Sequence, residues 1–133
     1  MVEIAAPPER VFPYLVAPDH RLRWMGLLVE SEPLEEGGFR DVFVEHGQRI
    51  ELEADVVRDQ PPDLLEVRLR GDLFDATSTQ RLEATEIGTR LATVVETAYT
   101  SRLARLAGPL VARRAQRQLE ADLAALKELV EGG

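Results

Sequence analysis

The chain has 133 residues, the size of one domain, and no cysteine, which excludes disulfides, thiolate metal sites and a cysteine nucleophile. Its net charge of −8 argues against a nucleic-acid binder, because such proteins carry a basic surface. The sequence shows neither the roughly 20-residue apolar run of a membrane helix nor a secretory signal. We therefore expect one cytoplasmic domain over residues 1–133.

The first part of the chain predicts a short strand and two short helices. Val2 to Ala5 forms the strand, and the next segment, Ala6 to Glu9, begins a helix because proline and glutamate both suit a first helical turn. Pro13 removes a backbone hydrogen bond, so this helix is expected to be short or kinked and to end before Pro18. A second short helix is predicted over Asp19 to Trp24.

From Leu27 onward the apolar period changes to about two residues, which is typical of antiparallel strands with one buried face. Leu27 and Val29 are predicted to share a face. The phase of the strand over Phe39–Glu45 stays open, because phenylalanines and valines alternate there and compete for the inside. Turns are predicted at Gln60 to Asp63 and at Glu86 to Gly88. The predicted inward residues of the later strands are Ile50, Leu52, Ala54, Val56, Leu65, Val67, Leu69, Phe74, Ala76, Ser78, Gln80, Leu82, Ala84, Leu91, Thr93, Val95, Thr97 and Tyr99.

The last third of the chain, Ser101 to Glu131, predicts one long helix that Ser101 can cap and that Gly132 can end. Its apolar residues recur at gaps of three and four, which predicts a single buried stripe. The stripe comprises Leu103, Ala107, Val111, Ala115, Leu119, Leu123, Leu126 and Val130, widened by Leu106, Leu110 and Leu129. Because a twisted sheet of six or seven strands curls, we predict an α+β protein whose curved antiparallel sheet wraps this helix and leaves space beside it.

Five segments, in this order and spacing, carry a family resemblance: Ile4 to Phe12, Asp19 to Trp24, Asp59 to Leu65, Gly88 to Leu91 and Leu119 to Lys127. Together they resemble the START-like superfamily, also called SRPBCC, which includes the birch-pollen-allergen fold and bacterial polyketide cyclase/dehydrase-type proteins. The resemblance implies a helix-grip fold with a deep apolar cavity for lipids, quinones or polyketides. The superfamily contains carriers, sensors and enzymes, so the fold alone does not choose among them.

Few residues suggest catalysis or metal binding. His20 and His46 have no converging partners, so we interpret both as surface or structural residues and predict no metal and no cofactor. Acid–base catalysis requires a desolvated carboxylate near the substrate. The sequence offers none on the inner face unless Phe39 and Phe43 point inward, which would bring Asp41 with them. No catalytic residue is assigned.

Polar residues on the predicted inner face are more informative. Each needs a partner, because an unpaired buried polar group costs about 1–3 kcal/mol. They either bond one another and water, or they orient a ligand. Arg114 continues the edge formed by Leu106 and Leu110, where it either holds a ligand carboxylate or phenolate or belongs to a solvated helix face. The inner polar residues are Ser78, Gln80, Thr93, Thr97 and Tyr99.

The sequence thus predicts a binder or carrier of a hydrophobic small molecule, held between the sheet and the last helix. The alternative is a cyclase/dehydrase-type enzyme in which Tyr99, Gln80, Arg114 or Asp41 moves or stabilises charge. A third hypothesis, an interaction module or homodimer, requires a solidly packed inner face and an outer apolar patch. The predicted ligand-binding residues are Trp24, Leu52, Ala54, Val67, Leu69, Phe74, Ala76, Ser78, Gln80, Leu91, Thr93, Val95, Tyr99, Leu106, Leu110 and Arg114.

Overall fold

The computed structural model describes residues 1–72, 74–99 and 102–133, with the side chains of 102–108 and 111 left out. The predicted α+β class and the order of elements are confirmed. Ser101, the predicted helix cap, lies outside the described residues. In chain order the elements are β1 (Val2–Ile4), α1 (Pro8–Val16), α2 (Pro18–Trp24), β2 (Leu28–Pro33), β3 (Phe39–Glu45), β4 (Gln48–Gln60), β5 (Leu64–Arg70), β6 (Phe74–Ala84), β7 (Thr89–Tyr99) and α3 (Arg102–Gly132).

The strands form one curved antiparallel sheet in the order β1-β7-β6-β5-β4-β3-β2. Each strand from β2 to β6 pairs with the next strand along the chain, as hairpin connections require. The short β1 pairs with the edge of β7 that faces away from β6. Val2 lies opposite Leu91 there, and Ile4 lies opposite Thr89. The concave side of this sheet holds α3, which is the predicted helix-grip arrangement.

The register settles the phase of β3. Phe39, Asp41 and Phe43 lie opposite Ala54, Leu52 and Ile50, respectively. Because paired residues point to the same side of a sheet, both phenylalanines and Asp41 belong to the inner face.

Val42 is fully buried on the other face of β3. Its strand partners are Glu30 and Glu51. Arg40 and Arg49 form ion pairs with both glutamates at 3.2–3.8 Å. The stems of these long side chains can cover the valine while their charged ends stay in water. Burial of Val42 therefore does not require a second protein layer.

One strand prediction was wrong. Leu27 and Val29 do not share a buried face: Leu28 is buried, and Val29 is 49% exposed. β2 begins at Leu28, one residue later than predicted. A register shift between Leu28 and Glu30 then interrupts the alternation, as a β-bulge does.

The hydrophobic core lies at one end of the molecule. There the C-terminal half of α3 meets β1, α1 and α2, and all of them pack on the inner face of β5, β6 and β7. Trp24, at the end of α2, belongs to this core and donates a hydrogen bond from its indole nitrogen to the Tyr14 carbonyl at 2.8 Å. The core residues are Ile4, Ala6, Val11, Phe12, Leu15, Trp24, Leu65, Leu82, Leu91, Leu123, Leu126 and Val130.

The predicted single stripe along α3 is only half right. Leu123, Leu126 and Val130 are buried, but Leu110 is 59% exposed and Ala115 is exposed as well. Each step of four residues turns about 40° round a helix, so a long series of such steps drifts from one face to another. Leu110 and Leu126 consequently point about 160° apart. The side chains of the stripe positions Leu103, Leu106, Ala107 and Val111 lie outside those that the structure describes.

Candidate functional site

The inner face beyond the core is only partly covered. Val56 and Val95 both belong to it through the pairs Val56–Val67 and Ser78–Val95. They are nevertheless 38% and 48% exposed. The helix shows the same opening: Ala115 lies about 20° round α3 from Leu126, on the core side, and is still exposed. Apolar side chains on the inner face of the sheet and on the core side of the helix are therefore left uncovered beside the core.

We call this uncovered surface the groove and define it by the inner-face residues of β4 to β7 outside the core, with Ala112 and Ala115 of α3. Ala112 also points within about 40° of Leu126 and is exposed. Cross-strand pairing brings the sheet residues together in rows. One row is Ala54–Leu69–Ala76–Thr97 and another is Val56–Val67–Ser78–Val95.

The predicted site residues fall into four groups. Trp24 and Leu91 belong to the core rather than to the groove. Leu52, Ala54 and Ala76 lie on the inner face but are buried by their neighbours. Val95, Leu110 and Arg114 are exposed, and the side chain of Leu106 is outside the described set. Half-buried on the inner face are Val67, Leu69, Phe74, Ser78, Gln80, Thr93 and Tyr99.

Arg114 and Leu110 do not point toward the sheet. Arg114 lies about 120° and Leu110 about 160° round the helix from Leu126. The helix residues that do point that way are Ala112 and Ala115. The sequence analysis continued the edge of the stripe from Leu106 through Leu110 to Arg114. The side of the helix that is buried in its C-terminal half continues instead to Ala112 and Ala115.

Thr93 is the polar residue with a distinctive environment. It pairs with Gln80 on the inner face. Its hydroxyl oxygen is shielded from solvent and has no hydrogen-bond partner among the described residues. Such an atom costs about 1–3 kcal/mol, so Thr93 holds an unused donor and acceptor that another molecule reaches only when the side chains that shield it move.

A buried ion pair lies on the inner face at the β2–β3 end of the sheet. Arg21 of α2 donates to both carboxylate oxygens of Asp41, at 2.6 and 3.3 Å, and Ser31 donates to Asp41 at 2.7 Å. The Asp41 side chain is fully buried, and the Arg21 guanidinium carbon lies 5.6 Å from the centre of the Phe39 ring. Both oxygens of Asp41 are thus occupied, which suits a structural anchor. Sequence reasoning missed Arg21, although its place three residues before Trp24 puts it on the buried face of α2.

The remaining candidates lie outside the groove. His20 stacks on Tyr14 with ring centres 4.3 Å apart, and His46 is exposed in the β3–β4 turn. The described residues contain no group of three or more His, Asp or Glu side chains that could hold a metal ion, and none of their helices is long and apolar enough to cross a membrane. Two open depressions of about 420 and 340 Å³ lie on the outer face of the sheet, lined by residues of β4 to β7 and the turn before β5. Charged residues make up about half of each lining, and most of the others are apolar.

Comparison with known families agrees with this architecture. Residues 1–131 match the family described as polyketide cyclase/dehydrase and lipid transport. The chain belongs to this family. A comparison with curated proteins found no match.

Solved structures show the same fold at low identity. A protein from Rhodobacter sphaeroides is 24% identical, with a TM-score of 0.76 over 98% of this chain and 89% of the other. A protein from Thermus thermophilus is 24% identical, with a TM-score of 0.72 over 96% and 91% of the two chains. Ara h 8.0201 is 12% identical, with a TM-score of 0.75 over 98% and 93%. At these identities the likeness establishes the helix-grip fold.

Proposed function

We propose that this member of the polyketide cyclase/dehydrase and lipid transport family binds or carries a hydrophobic small molecule in the groove. The observation that supports it most directly is the exposure of inward-pointing apolar residues on both walls. Val56 and Val95 are exposed on the sheet, and Ala112 and Ala115 are exposed on the helix. Sheet residues that turn toward a packed helix are ordinarily covered, so this opening fits a ligand that completes the layer.

The expected binding mode follows from the composition of the walls. Apolar burial contributes about 25 cal/mol per Å² removed from water, so the valines and alanines supply affinity without direction. Thr93 supplies direction, because its unpaired hydroxyl can hydrogen-bond a carbonyl or hydroxyl of the guest once the side chains that shield it move aside. Lipids, quinones and polyketides all combine these two features. Among the predicted residues, Val67, Leu69, Ser78, Gln80, Val95 and Tyr99 remain our candidate lining, and the cytoplasmic location stays a prediction.

Native mass spectrometry of freshly purified protein, with extraction of any bound compound, tests the proposal directly. A panel of fatty acids, quinones and aromatic polyketides should include compounds that raise the melting temperature. The matched variants are Val56→Arg and Val57→Arg, because these neighbours are both exposed and Val57 lines the outer depression instead. Val56→Arg should abolish the shift and Val57→Arg should preserve it. If no compound binds, or if both variants behave alike, the groove is not the site.

Thr93→Val separates the polar contribution. Without ligand, this variant should be as stable as wild type or more stable, because an unpaired buried hydroxyl is replaced by a methyl group of similar size. With a carbonyl-bearing ligand from the panel, binding should weaken about 5- to 10-fold, which corresponds to one hydrogen bond of about 1 kcal/mol. Isothermal titration calorimetry and thermal unfolding of the same two proteins measure both effects.

The enzymatic alternative has one observation in its favour: a carboxylate does lie on the inner face. Asp41 is buried there, although Arg21 and Ser31 hold both of its oxygens. Tyr99, opposite Phe74 at the far end of β7, is another of the residues predicted to move or stabilise charge. Incubation of the panel polyketides with the protein, followed by mass spectrometry, should show loss of water or a new ring if this role is real. Tyr99→Phe should then remove turnover while ligand binding persists.

A further inference from the structure

We propose that the N-terminal half of α3 docks on a membrane surface that contains anionic phospholipid. Residues 101–118 carry five arginines and no acidic residue, in a chain whose net charge is −8. The remaining 115 residues therefore carry a net charge of −13. One positive helix segment on an otherwise acidic protein fixes the orientation of approach, because an anionic surface attracts that segment and repels the rest.

Four residues of this segment form a compact surface, which we call the basic patch: Leu110, Arg113, Arg114 and Arg117. Their spacings of three and four residues make them neighbours on the helix. They point between about 120° and 180° away from Leu126, on the side of α3 that faces away from the sheet. All four are exposed, and Leu110 is 59% exposed. The basic patch is thus available to a partner that does not enter the groove.

The arginines of the basic patch have no ion-pair partner among the residues that the structure describes. Glu120, the next acidic residue along the helix, instead accepts a hydrogen bond from Gln116 at 3.2 Å. Arg40 and Arg70, on the outer face of the sheet, do pair with carboxylates. Like charges three and four residues apart on a helix repel each other. Phosphate groups relieve this repulsion, and each accepts two parallel hydrogen bonds from a guanidinium group.

Two observations favour a membrane as the occupant. Leu110 places an exposed apolar side chain among the arginines, as helices that lie in a lipid interface do. The same two turns of α3 carry Ala112 and Ala115 of the groove on their other side, so docking brings the groove within about one helix diameter, roughly 10 Å, of the lipid. This second point rests on the proposed function, because lipids and quinones, the guests proposed for the groove, reside in membranes.

Flotation with lipid vesicles tests the docking in the absence of any guest. Wild type should bind vesicles made of equal parts phosphatidylcholine and phosphatidylglycerol, and it should not bind vesicles of phosphatidylcholine alone. Binding should fall steeply at about 1 M salt, where the Debye length is roughly 3 Å. A protein that fails to bind the anionic vesicles at low salt, or that binds both kinds equally, overturns the proposal.

Two double variants remove the same charge from different places. Arg113→Gln with Arg117→Gln should weaken binding to the anionic vesicles about 30-fold, because each basic residue near such a surface contributes roughly fivefold. Arg68→Gln with Arg81→Gln removes two exposed arginines from the outer face of the sheet and should change binding by less than about twofold. Equal weakening by the two variants would mean that net charge alone governs binding, which contradicts the basic patch.

The apolar contact has a matched pair of its own. Leu110→Ala should weaken vesicle binding several-fold, whereas Ile87→Ala should not, although Ile87 is an equally large and exposed residue in the turn between β6 and β7. Equal effects would contradict insertion of Leu110. Sedimentation velocity identifies a competing occupant: a dimer that Arg113→Gln with Arg117→Gln dissociates would mean that a second copy covers the basic patch, and this overturns membrane docking.

The outcomes separate this inference from the proposed function. The thermal shift without vesicles measures guest binding, which Arg113→Gln with Arg117→Gln should leave unchanged because both residues point away from the groove. A wild-type protein that binds guests but not anionic vesicles overturns the docking alone. A wild-type protein that binds anionic vesicles but no guest supports the docking and overturns the proposed function alone.

Discussion

At the scale of single residues, the buried pair of Arg21 and Asp41 should govern stability more than any surface pair. Arg21→Met leaves the fully buried Asp41 without its cation, and removal of one partner from such a pair costs about 3–5 kcal/mol. Arg40→Met is the control, since Arg40 contacts three carboxylates but is one-third exposed, and it should cost about 1 kcal/mol or less. Urea unfolding measures both.

The double variant Arg21→Met with Asp41→Leu completes this test. Replacing both charges by apolar groups removes the unpaired carboxylate, so most of the lost stability should return. If the double variant is as unstable as Arg21→Met alone, the loss comes from packing of the arginine on Phe39 rather than from the stranded charge.

Glu131 gives the molecule a specific pH dependence. Its hydrogen bond from Lys127, at 2.7 Å, and its second from the Ala5 amide, at 2.8 Å, lower the pKa of this carboxyl below its ordinary 4.5. A lowered folded-state pKa means that the ionised group stabilises the fold fully above pH 4.5 and loses this effect as the pH falls through the lower value. The melting temperature of wild type should therefore exceed that of Glu131→Gln at neutral pH, and the gap should shrink below pH 4.5.

Lys127→Met checks the cause of this shift. Because Lys127 is the larger of the two contributors, its removal should flatten the same acid-side profile even though Glu131 is present. Thermal unfolding between pH 3 and pH 7 compares the three proteins. Parallel curves for all three would mean that the contact between α3 and the N-terminal segment contributes nothing in solution.

At the scale of elements, α3 should divide into a stabilising half and a dispensable half. Leu126→Ala removes a fully buried side chain from the core and should cost about 2–5 kcal/mol. Leu110→Ala makes the same chemical change on an exposed position about 160° away and should stay within about 0.5 kcal/mol. Urea unfolding of the two variants measures the difference; equal losses would mean that Leu110 is buried in solution.

The elements also show where sequence was sufficient. Alternation and turn residues located strands and hairpins, because each of these signals is local. The phase of β3 was not local: Phe39 and Val42 are both apolar, and the outcome depends on Arg21 reaching Asp41 from another element. The exposed stretch of α3 was missed for a geometric reason, since spacing alone does not show that a series of four-residue steps rotates off the core. Arg114 was named as a site candidate by extending the same series of four-residue steps.

At the scale of the whole molecule, stability should be polarised between the packed end and the open end. Leu91 is fully buried between β1 and β6, whereas Val95, four residues along the same strand and beyond the span that pairs with β1, is about half exposed. Local opening requires least free energy where few apolar contacts and paired amides hold the chain. Amide exchange should therefore be slowest around Ile4, Leu91 and Leu126 and fast at alternate residues of Ala92–Tyr99.

The same measurement tests the groove, because a bound ligand should protect a defined part of the sheet. A ligand in the groove contacts inner side chains, so its protection should centre on the inner residues around Thr93. This protection should be absent from Val56→Arg and present in Val57→Arg. Equal protection of both variants would mean that the ligand binds elsewhere.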